Sequence, residues 1–265
     1  MIQPDATAPG SIHSSAVIDE TAVIAADATI GPYVVIGPNV TIGARTRVGA
    51  HVVIERDTTI GEDCRIHSAA VLGGDPQDLK YAGESSRLVV GDRTVIREFV
   101  TLNRGSAARG STNIGSDCLF MAYAHVAHDC VIGDHVVIAN AVNMGGHVTV
   151  GDWVIVGGLS AVHQFARIGA HAFVGGMSGV RKDVPPYVKA SGHPMRLFGL
   201  NSVGLQRRGF SREVRVDIRR AYRLLFQSSL NVRDALAEAR ATLPSAPELD
   251  LLLDFVEHSE RGVTV

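Results

Sequence analysis

One stretch decides the fold: residues 29–43 read TIGPYVVIGPNVTIG. Ile30, Ile36 and Ile42 recur every six residues, and a glycine follows each of them. The same spacing continues through 26 apolar positions in one register, which run from Ile12 to Leu72, from Val90 to Leu102 and from Ile114 to Val180. A repeat sustained over this length indicates a chain built from small identical units.

A period of six matches neither an α-helix, which repeats every 3.6 residues, nor a single strand, which repeats every two. It is typical of a parallel β-helix, in which three short strands and three corners complete one triangular coil. We expect the first residue of each hexad to point inward and the glycine after it to help the chain turn. The repeat predicts about nine coils, each rising roughly 4.8 Å.

The register breaks at two places. Residues 73–87 are polar and glycine-rich, and residues 103–113 are rich in Gly, Ser and Arg. Both are predicted to be loops that leave the coil, and loops on a rigid scaffold often carry function.

The repeat ends after Val180, and the remaining sequence is predicted to be helical. Ser211 and Asn231 are candidate N-caps, and Ser245 with Glu248 would form a capping box for a third helix. The predicted domains are a parallel β-helix over residues 1–190 and an α-helical C-terminal domain over residues 191–265.

Composition indicates a cytoplasmic protein that binds no nucleic acid. The chain has 265 residues and a net charge of −2, so no global electrostatic argument favours nucleic acid. No apolar run could span a membrane, and Met1–Ser15 lacks the pattern of a signal peptide. Cys64, Cys118 and Cys130 all fall on position five of a hexad, which favours small buried side chains in a reducing compartment.

The period also predicts a cluster of candidate catalytic residues. Because three hexads make one coil of 18 residues, His128 shares a column with Gly146 and Gln164, and Asp129 shares the next with His147 and Phe165. Histidine suits a general base because its ordinary pKa of about 6.5 leaves it mostly neutral in the cytoplasm. Asp129 is suited to orient the ring and stabilise its charged form.

Glycines stack in the same way, since Gly158 lies one coil from Gly176. A column without side chains forms either a groove for an extended acyl chain or simply a set of tight corners. The spacing alone does not choose between these readings.

Five segments carry a resemblance to a known family: Gln77–Tyr81, His125–Cys130, Gly145–Val148, Val162–Phe165 and Arg207–Ser211. Together they resemble the acyl carrier protein–UDP-N-acetylglucosamine O-acyltransferases, which begin lipid A synthesis, over essentially the whole chain. The resemblance implies a left-handed coil and a homotrimer with active sites between subunits. It also implies transfer of a 3-hydroxyacyl group from acyl carrier protein to the 3-hydroxyl of UDP-N-acetylglucosamine.

The resemblance implies a role for each matching residue. His128 would be the base, Asp129 its partner, and the Gly146 N–H the donor that stabilises the oxyanion. Substrate contacts would come from Gln77, Asp78, Lys80, His125, His147, His163, Gln164, Asn201, Arg207 and Arg208. Gly158 and Gly176 would line the acyl groove, with Gly176 helping to set chain length. No metal or cofactor is expected, because the acyl group arrives on the phosphopantetheine of the carrier protein.

Two positions depart from the family pattern and put the nucleotide contacts in question. Val203 stands where the family often has Glu, and Gly192–Arg196 differs from the usual Gly-Asn-x-Ala. Three alternatives are a binding solenoid, a sugar N-acyltransferase and a zinc hydratase with ligands His125, His128 and His147. The N-acyltransferases normally carry an additional N-terminal domain, for which a repeat that starts by Ile12 leaves no room.

A basic face is predicted at the start of the helical region. Five arginines are spaced by three or four residues, which places them on one side of a helix: Arg208, Arg212, Arg215, Arg219 and Arg223. This face is either ordinary solvated surface or a docking site for an acidic acyl carrier protein.

Overall fold

The structure, a computed structural model, describes residues 10–265. The first nine residues of the predicted β-helix domain, and most of the segment judged for a signal peptide, lie outside the described residues. Most strands span two residues, as short hexad strands should. In chain order they are β1 (Val17–Ile18), β2 (Val23–Ile24), β3 (Thr29–Ile30), β4 (Val35–Ile36), β5 (Thr41–Ile42), β6 (Arg47–Val48), β7 (Val53–Ile54), β8 (Thr58–Ile60), β9 (Arg65–Ile66), β10 (Val71–Gly74), β11 (Arg87–Val90), β12 (Val95–Ile96), β13 (Thr101–Asn103), β14 (Ser111–Ile114), β15 (Leu119–Phe120), β16 (His125–Val126), β17 (Val131–Ile132), β18 (Val137–Ile138), β19 (Asn143–Met144), β20 (Thr149–Val150), β21 (Ile155–Val156), β22 (Ala161–Val162), β23 (Arg167–Ile168), β24 (Phe173–Val174), β25 (Gly179–Val180), β26 (Val188–Gly192) and β27 (Met195–Leu200).

Three parallel sheets form the faces of a coil. Sheet I has nine strands, β1 and every third strand to β25; sheet II has eight, from β2 to β23. Sheet III has ten, from β3 to β24 with β26 and β27 added at its end. The chain visits sheets I, II and III in turn, so each coil has three corners, I–II, II–III and III–I. Val35 pairs with Val53, the 18-residue register that the repeat predicts.

Both register breaks are insertions at corner I–II. The first separates β10 from β11 and the second separates β13 from β14. They lengthen the affected coils, so that Leu72 pairs with Leu102 and Leu102 with Val126. The two loops therefore leave the same edge of the molecule in successive coils.

The core fills the coil with the first residue of each hexad. Ile30, Ile36 and Ile42 are at most 1% exposed. The three cysteines are free and buried beside them, as their position in the repeat predicts. Continuous apolar packing of this kind stabilises a coil whose individual strands are too short to be stable alone.

The corners turn at a residue other than the glycine. The fourth residue of a hexad adopts the left-handed conformation, with φ of 57° at Asn39 and 60° at Asp129. Gly37 keeps an ordinary φ, but a Cβ there would lie 1.7 Å from the carbonyl oxygen of Glu55 in the next coil. The expectation that this glycine makes the turn was therefore wrong; it lets successive coils approach each other.

The helical region begins later than residue 190, the predicted domain boundary, which falls inside β26. β26 and β27 form an antiparallel hairpin on sheet III before the helices begin. The helices are α1 (Ser202–Arg207), α2 (Arg212–Gln227), α3 (Val232–Thr242) and α4 (Pro247–Glu257). Within residues 10–265, the apolar stretches of these helices are too short for a transmembrane segment.

The helix caps agree with the sequence in two cases of three. Ser211 and Asn231 each accept a hydrogen bond from a backbone N–H of the helix that follows. The capping box of Ser245 and Glu248 was wrong. The N-cap of α4 is Ala246, no side chain caps it, and Pro247 occupies the first turn, where its missing N–H costs nothing.

Candidate active site

His128 and Asp129 occupy corner I–II, between β16 and β17. His128 Nδ1 lies 2.8 Å from Asp129 Oδ2, and both residues are buried. Because the carboxylate only accepts hydrogen bonds, Nδ1 donates to it, and Nε2 is the ring nitrogen directed away from the carboxylate. In the neutral tautomer that this bond selects, Nε2 holds the lone pair.

The Asp129 carboxylate is completely buried and hydrogen-bonded on both oxygens. Ser106 donates from its hydroxyl to Oδ2 at 2.6 Å and from its N–H to Oδ1 at 2.9 Å. The Arg109 N–H also reaches Oδ1, at 3.2 Å. Burial alone would raise the pKa of Asp129, but the hydrogen bonds from Ser106 and His128 outweigh it and hold the pKa below its ordinary value.

His147 and Gly146 lie one coil above the pair, as the 18-residue period predicts. The His147 ring meets the His128 ring edge-on at 5.1 Å and stacks on Phe165 at 4.4 Å. Burial lowers the pKa of His147, with Asp129 acting in the opposite direction. Its Nε2 lies 3.7 Å from Asp129 Oδ2, beyond hydrogen-bonding distance.

Gly146 is a glycine because His128 occupies the space of a side chain. A Cβ on Gly146 would lie 2.6 Å from His128 Cε1 and 2.7 Å from Nε2. The Gly146 carbonyl accepts a bond from Phe165, whereas within residues 10–265 its N–H has no protein acceptor. An unused backbone donor beside a histidine is the geometry that oxyanion stabilisation needs.

His125 stands on sheet I, outside this group. Its Nδ1 and the Thr101 hydroxyl are 2.7 Å apart, and burial lowers its pKa. The potential metal ligands that the structure brings together in residues 10–265 are His128, Asp129 and His147, within 4.8 Å of one another. The zinc alternative required His125 in that set, so the ligand trio it proposed does not form.

The remaining predicted residues near corner I–II line its surroundings. Gln77 and Lys80 are exposed on the first inserted loop, and Asp78 is half-buried there and close enough to His147 to act on its charge. His163 and Gln164 are exposed one coil beyond Gly146. The first inserted loop and the stacked I–II corners thus border the same surface around His128.

A second group of predicted residues lies on sheet III, across the core from corner I–II. Asn201, Arg207 and Arg208 line a cavity of about 260 Å³ over β21, β24 and β26. Asn201 is buried and caps α1: Oδ1 accepts from Gly204 N–H at 3.2 Å, and Nδ2 donates to the His171 carbonyl at 3.0 Å.

Arg208 also lies on this side of the molecule. Its guanidinium lies over the Trp153 ring at 5.1 Å, and one of its buried nitrogens has no partner within residues 10–265. Arg208 ends α1 and precedes α2. The prediction that it shares the helical face of Arg212 and Arg215 was therefore wrong.

Gly158 and Gly176 occupy corner III–I. They stack as predicted, since a Cβ on Gly176 would lie 3.2 Å from the Gly158 carbonyl oxygen. In one chain this column is a different corner from that of His128. In a single chain the predicted site residues therefore lie at three separate places, corner I–II, the sheet III cavity and corner III–I, with His125 on sheet I beside the first.

Sequence reasoning missed Ser106, Arg104 and Thr101. The signal for Ser106 was available: its insertion lies at the corner one coil before His128, so its side chains had to lie against Asp129. The side chain that it contributes could not be chosen, because an insertion has no period.

Comparisons with known proteins agree with this architecture. Residues 183–264 match a family model described as domain 2 of UDP-N-acetylglucosamine O-acyltransferase. Residues 111–146 match a bacterial transferase hexapeptide model of six repeats, and residues 12–104 match a GMPPB C-terminal domain model.

A relative from Myxococcus xanthus, the acyl-[acyl-carrier-protein]–UDP-N-acetylglucosamine O-acyltransferase, is 50% identical over 208 residues, which are 78% of this chain and 81% of the relative. The chain belongs to this acyltransferase family. It is a left-handed parallel β-helix with a helical C-terminal region, as expected.

Two solved acyltransferase structures agree along almost the whole chain. The structure of LpxA from Acinetobacter baumannii has a TM-score of 0.93 at 47% identity and covers 96% of this chain and 99% of its own. The UDP-N-acetylglucosamine acyltransferase from Bacteroides fragilis has a TM-score of 0.95 at 40% identity and covers 96% and 100%. The acyltransferase fold therefore includes both the coil and the helices that carry Arg207 and Arg208.

Proposed function

We propose that this chain transfers a 3-hydroxyacyl group from acyl carrier protein to the 3-hydroxyl of UDP-N-acetylglucosamine. The observation that carries the proposal is the hydrogen-bonded pair of His128 and Asp129 beside the free Gly146 N–H, in a member of the acyltransferase family. The reaction opens lipid A synthesis and belongs to the cytoplasm, where the carrier protein is found.

The chemistry needs one base and one oxyanion donor. His128 Nε2 takes the proton of the sugar hydroxyl while the hydroxyl oxygen attacks the thioester carbonyl. The Gly146 N–H stabilises the oxyanion, and Asp129 stabilises the imidazolium. The carbon–sulfur bond then breaks and His128 returns the proton to the leaving thiolate, so no metal, cofactor or covalent enzyme intermediate takes part.

A second copy of the chain completes the site. The His128 corner holds the groups for proton transfer, whereas the sheet III cavity of Arg207 and Arg208 holds the cationic groups suited to a nucleotide diphosphate. Since the two lie on opposite sides of one coil, they meet only between chains. The proposed assembly is a homotrimer in which each corner I–II faces the sheet III side of its neighbour.

The acyl carrier protein is proposed to dock on α2. Arg212, Arg219 and Arg223 are exposed on this helix, and no carboxylate within residues 10–265 forms an ion pair with them. An acidic carrier would be attracted to such a face, and the attraction would weaken with salt.

Product analysis tests the proposal directly. Purified protein is incubated with UDP-N-acetylglucosamine and acyl carrier protein thioesters of different chain length, and the products are identified by mass spectrometry. We expect a singly O-acylated nucleotide sugar from 3-hydroxyacyl donors. Acylation at a position other than the 3-hydroxyl, or hydrolysis of the thioester alone, would contradict the proposed reaction.

A further inference from the structure

The second insertion crosses corner I–II between β13 and β14, directly against the His128 corner. Its first half, residues 104–106, is buried although it belongs to a loop. Burial of a loop backbone is uncommon because its polar groups must find partners. Here the partners are the two parts of the site described above, the Asp129 carboxylate on one side and the first inserted loop on the other.

Ser106 makes Asp129 different from the other carboxylates of its column. Asp57 occupies the same corner position, with φ of 46° against 60° at Asp129, yet its side chain is 25% exposed and pairs with Arg56 and Asn39. Asp129 has no exposed side-chain surface, because the Ser106 segment covers it. The hydroxyl and N–H of Ser106 bind one carboxylate oxygen each, which sets the plane of the carboxylate.

Arg104, in the same segment, contacts the first inserted loop. Its buried guanidinium donates to the Gly73 carbonyl, the Asp75 carboxylate and the Tyr81 hydroxyl, the last at 3.1 Å. The Asn103 amide donates to the Asp75 carbonyl. These bonds fix both ends of the loop segment that carries Asp78 and Lys80.

We propose that Arg104 and Ser106 are positioning residues: Ser106 aligns Asp129 and through it His128, and Arg104 holds the loop of Asp78 and Lys80 over the sugar. The inference rests on the proposed function. One short segment thereby fixes the position of His128 relative to the loop that carries Asp78 and Lys80. A base aligned by fixed hydrogen bonds reacts faster than one that has to be ordered in each turnover.

The charges around Asp129 determine how loss of the Ser106 hydroxyl would act. The groups that face it are His128, His147 and the Arg109 backbone, with Asp78 beyond His147. Without the hydroxyl, Oδ2 keeps only the His128 bond, so the ionised carboxylate is less stabilised and protonates at higher pH. The acidic limb of the pH profile should therefore move to higher pH.

The test compares Ser106→Ala, Ser106→Thr and the control Ser111→Ala. Ser111 is also a buried serine, at the start of β14, but its hydroxyl accepts a hydrogen bond from the Asn113 amide and does not bond to Asp129. We expect Ser106→Ala to lower kcat about 10- to 100-fold, the effect of losing one hydrogen bond to a charged group. KM for both substrates should stay within about twofold, the acidic limb of the pH profile should move to higher pH, and Ser106→Thr should restore the rate.

The role of Arg104 is tested with two variants, Asp75→Asn and Arg104→Lys. Asp75→Asn keeps the size of the exposed residue that pairs with Arg104 and removes its charge. We expect both to raise KM for UDP-N-acetylglucosamine about tenfold without moving the acidic limb. Wild-type protein measured alongside separates the test of the proposed function from the test of the positioning role. An inactive wild type contradicts the proposed function, whereas an active wild type with unchanged kcat and pH profile in Ser106→Ala overturns the positioning role.

Discussion

The His128 corner and the sheet III cavity differ in what they hold. In the corner, the Asp129 carboxylate is buried and hydrogen-bonded on both oxygens within one chain, and it orients His128. The cavity contains arginines and a helix start, but among its lining residues it has no group that would take a proton at neutral pH. The comparison supports the proposal that a single chain carries two half-sites, one for chemistry and one for recognition.

The fold explains why the half-sites are separate. Corner I–II and the outer surface of sheet III lie on opposite sides of the triangular coil, with the apolar core between them. A rigid coil cannot bend to join them, because every strand between the ends of a sheet is paired on both sides along the axis. The two functions can therefore be disabled independently, and the predictions below use that independence.

The largest effect is expected at His128. His128→Ala removes the base but leaves the corner backbone in place, so the rate should fall about 10²–10⁴-fold. KM for either substrate should change little, because the imidazole acts on the proton. Steady-state rates measure this, with His13→Ala as the control, since His13 is a half-buried histidine of the first described coil. Near-normal turnover by folded His128→Ala protein would remove His128 from the mechanism.

The recognition half-site should show the opposite pattern. Arg207→Ala removes an exposed guanidinium of the cavity, so KM for UDP-N-acetylglucosamine should rise about 10-fold while kcat is nearly kept. Arg233→Ala, an exposed arginine on α3, is the matched control and should change neither constant. A fall in kcat at constant KM in Arg207→Ala would show that the two regions do not divide the work as described.

The smallest effect is expected at corner III–I, where the acyl tail is proposed to pass. Gly176 is exposed, and a methionine side chain there would fill a groove next to Gly158. Each buried methylene contributes about 0.8 kcal/mol, or nearly fourfold in affinity, so Gly176→Met should favour donors about four carbons shorter. The ratio of kcat/KM for long and short donors measures the shift. An unchanged ratio in a stable Gly176→Met protein would mean that this column only serves the corner.

The parts that the sequence predicted are those that follow its period. Ile30, Ile36 and Ile42 have the same environment in every coil, so their inward direction and the 18-residue register could be read directly. The same register placed His128 under Gly146 and Asp129 under His147, and the stacking confirms it.

The parts that could not be predicted lie where the period is absent. The bond from Ser106 to Asp129 depends on the path of an insertion, and an insertion has no register from which to calculate its contacts. The side of the coil on which Arg207 packs depends on the hairpin of β26 and β27. The hexad pattern does not predict this hairpin, because the hairpin follows the last hexad. The predicted cap of α4 was wrong for a local reason. Pro247 has no N–H, so the first turn needs one side-chain acceptor fewer.

The measurement that tests the central claim most directly is complementation between disabled chains. His128→Ala chains are mixed with Arg207→Ala/Arg208→Ala chains, and activity is measured in assemblies shown to contain both, at a UDP-N-acetylglucosamine concentration far below the raised KM, where the arginine variant alone turns over slowly. Each mixed trimer should regain a working site, formed by His128 of one chain and the arginines of its neighbour. A mixture of His128→Ala with Asp129→Asn chains, both disabled in the same half-site, should regain nothing. Recovery in that control, or no recovery in the first mixture, would contradict a site built from two chains.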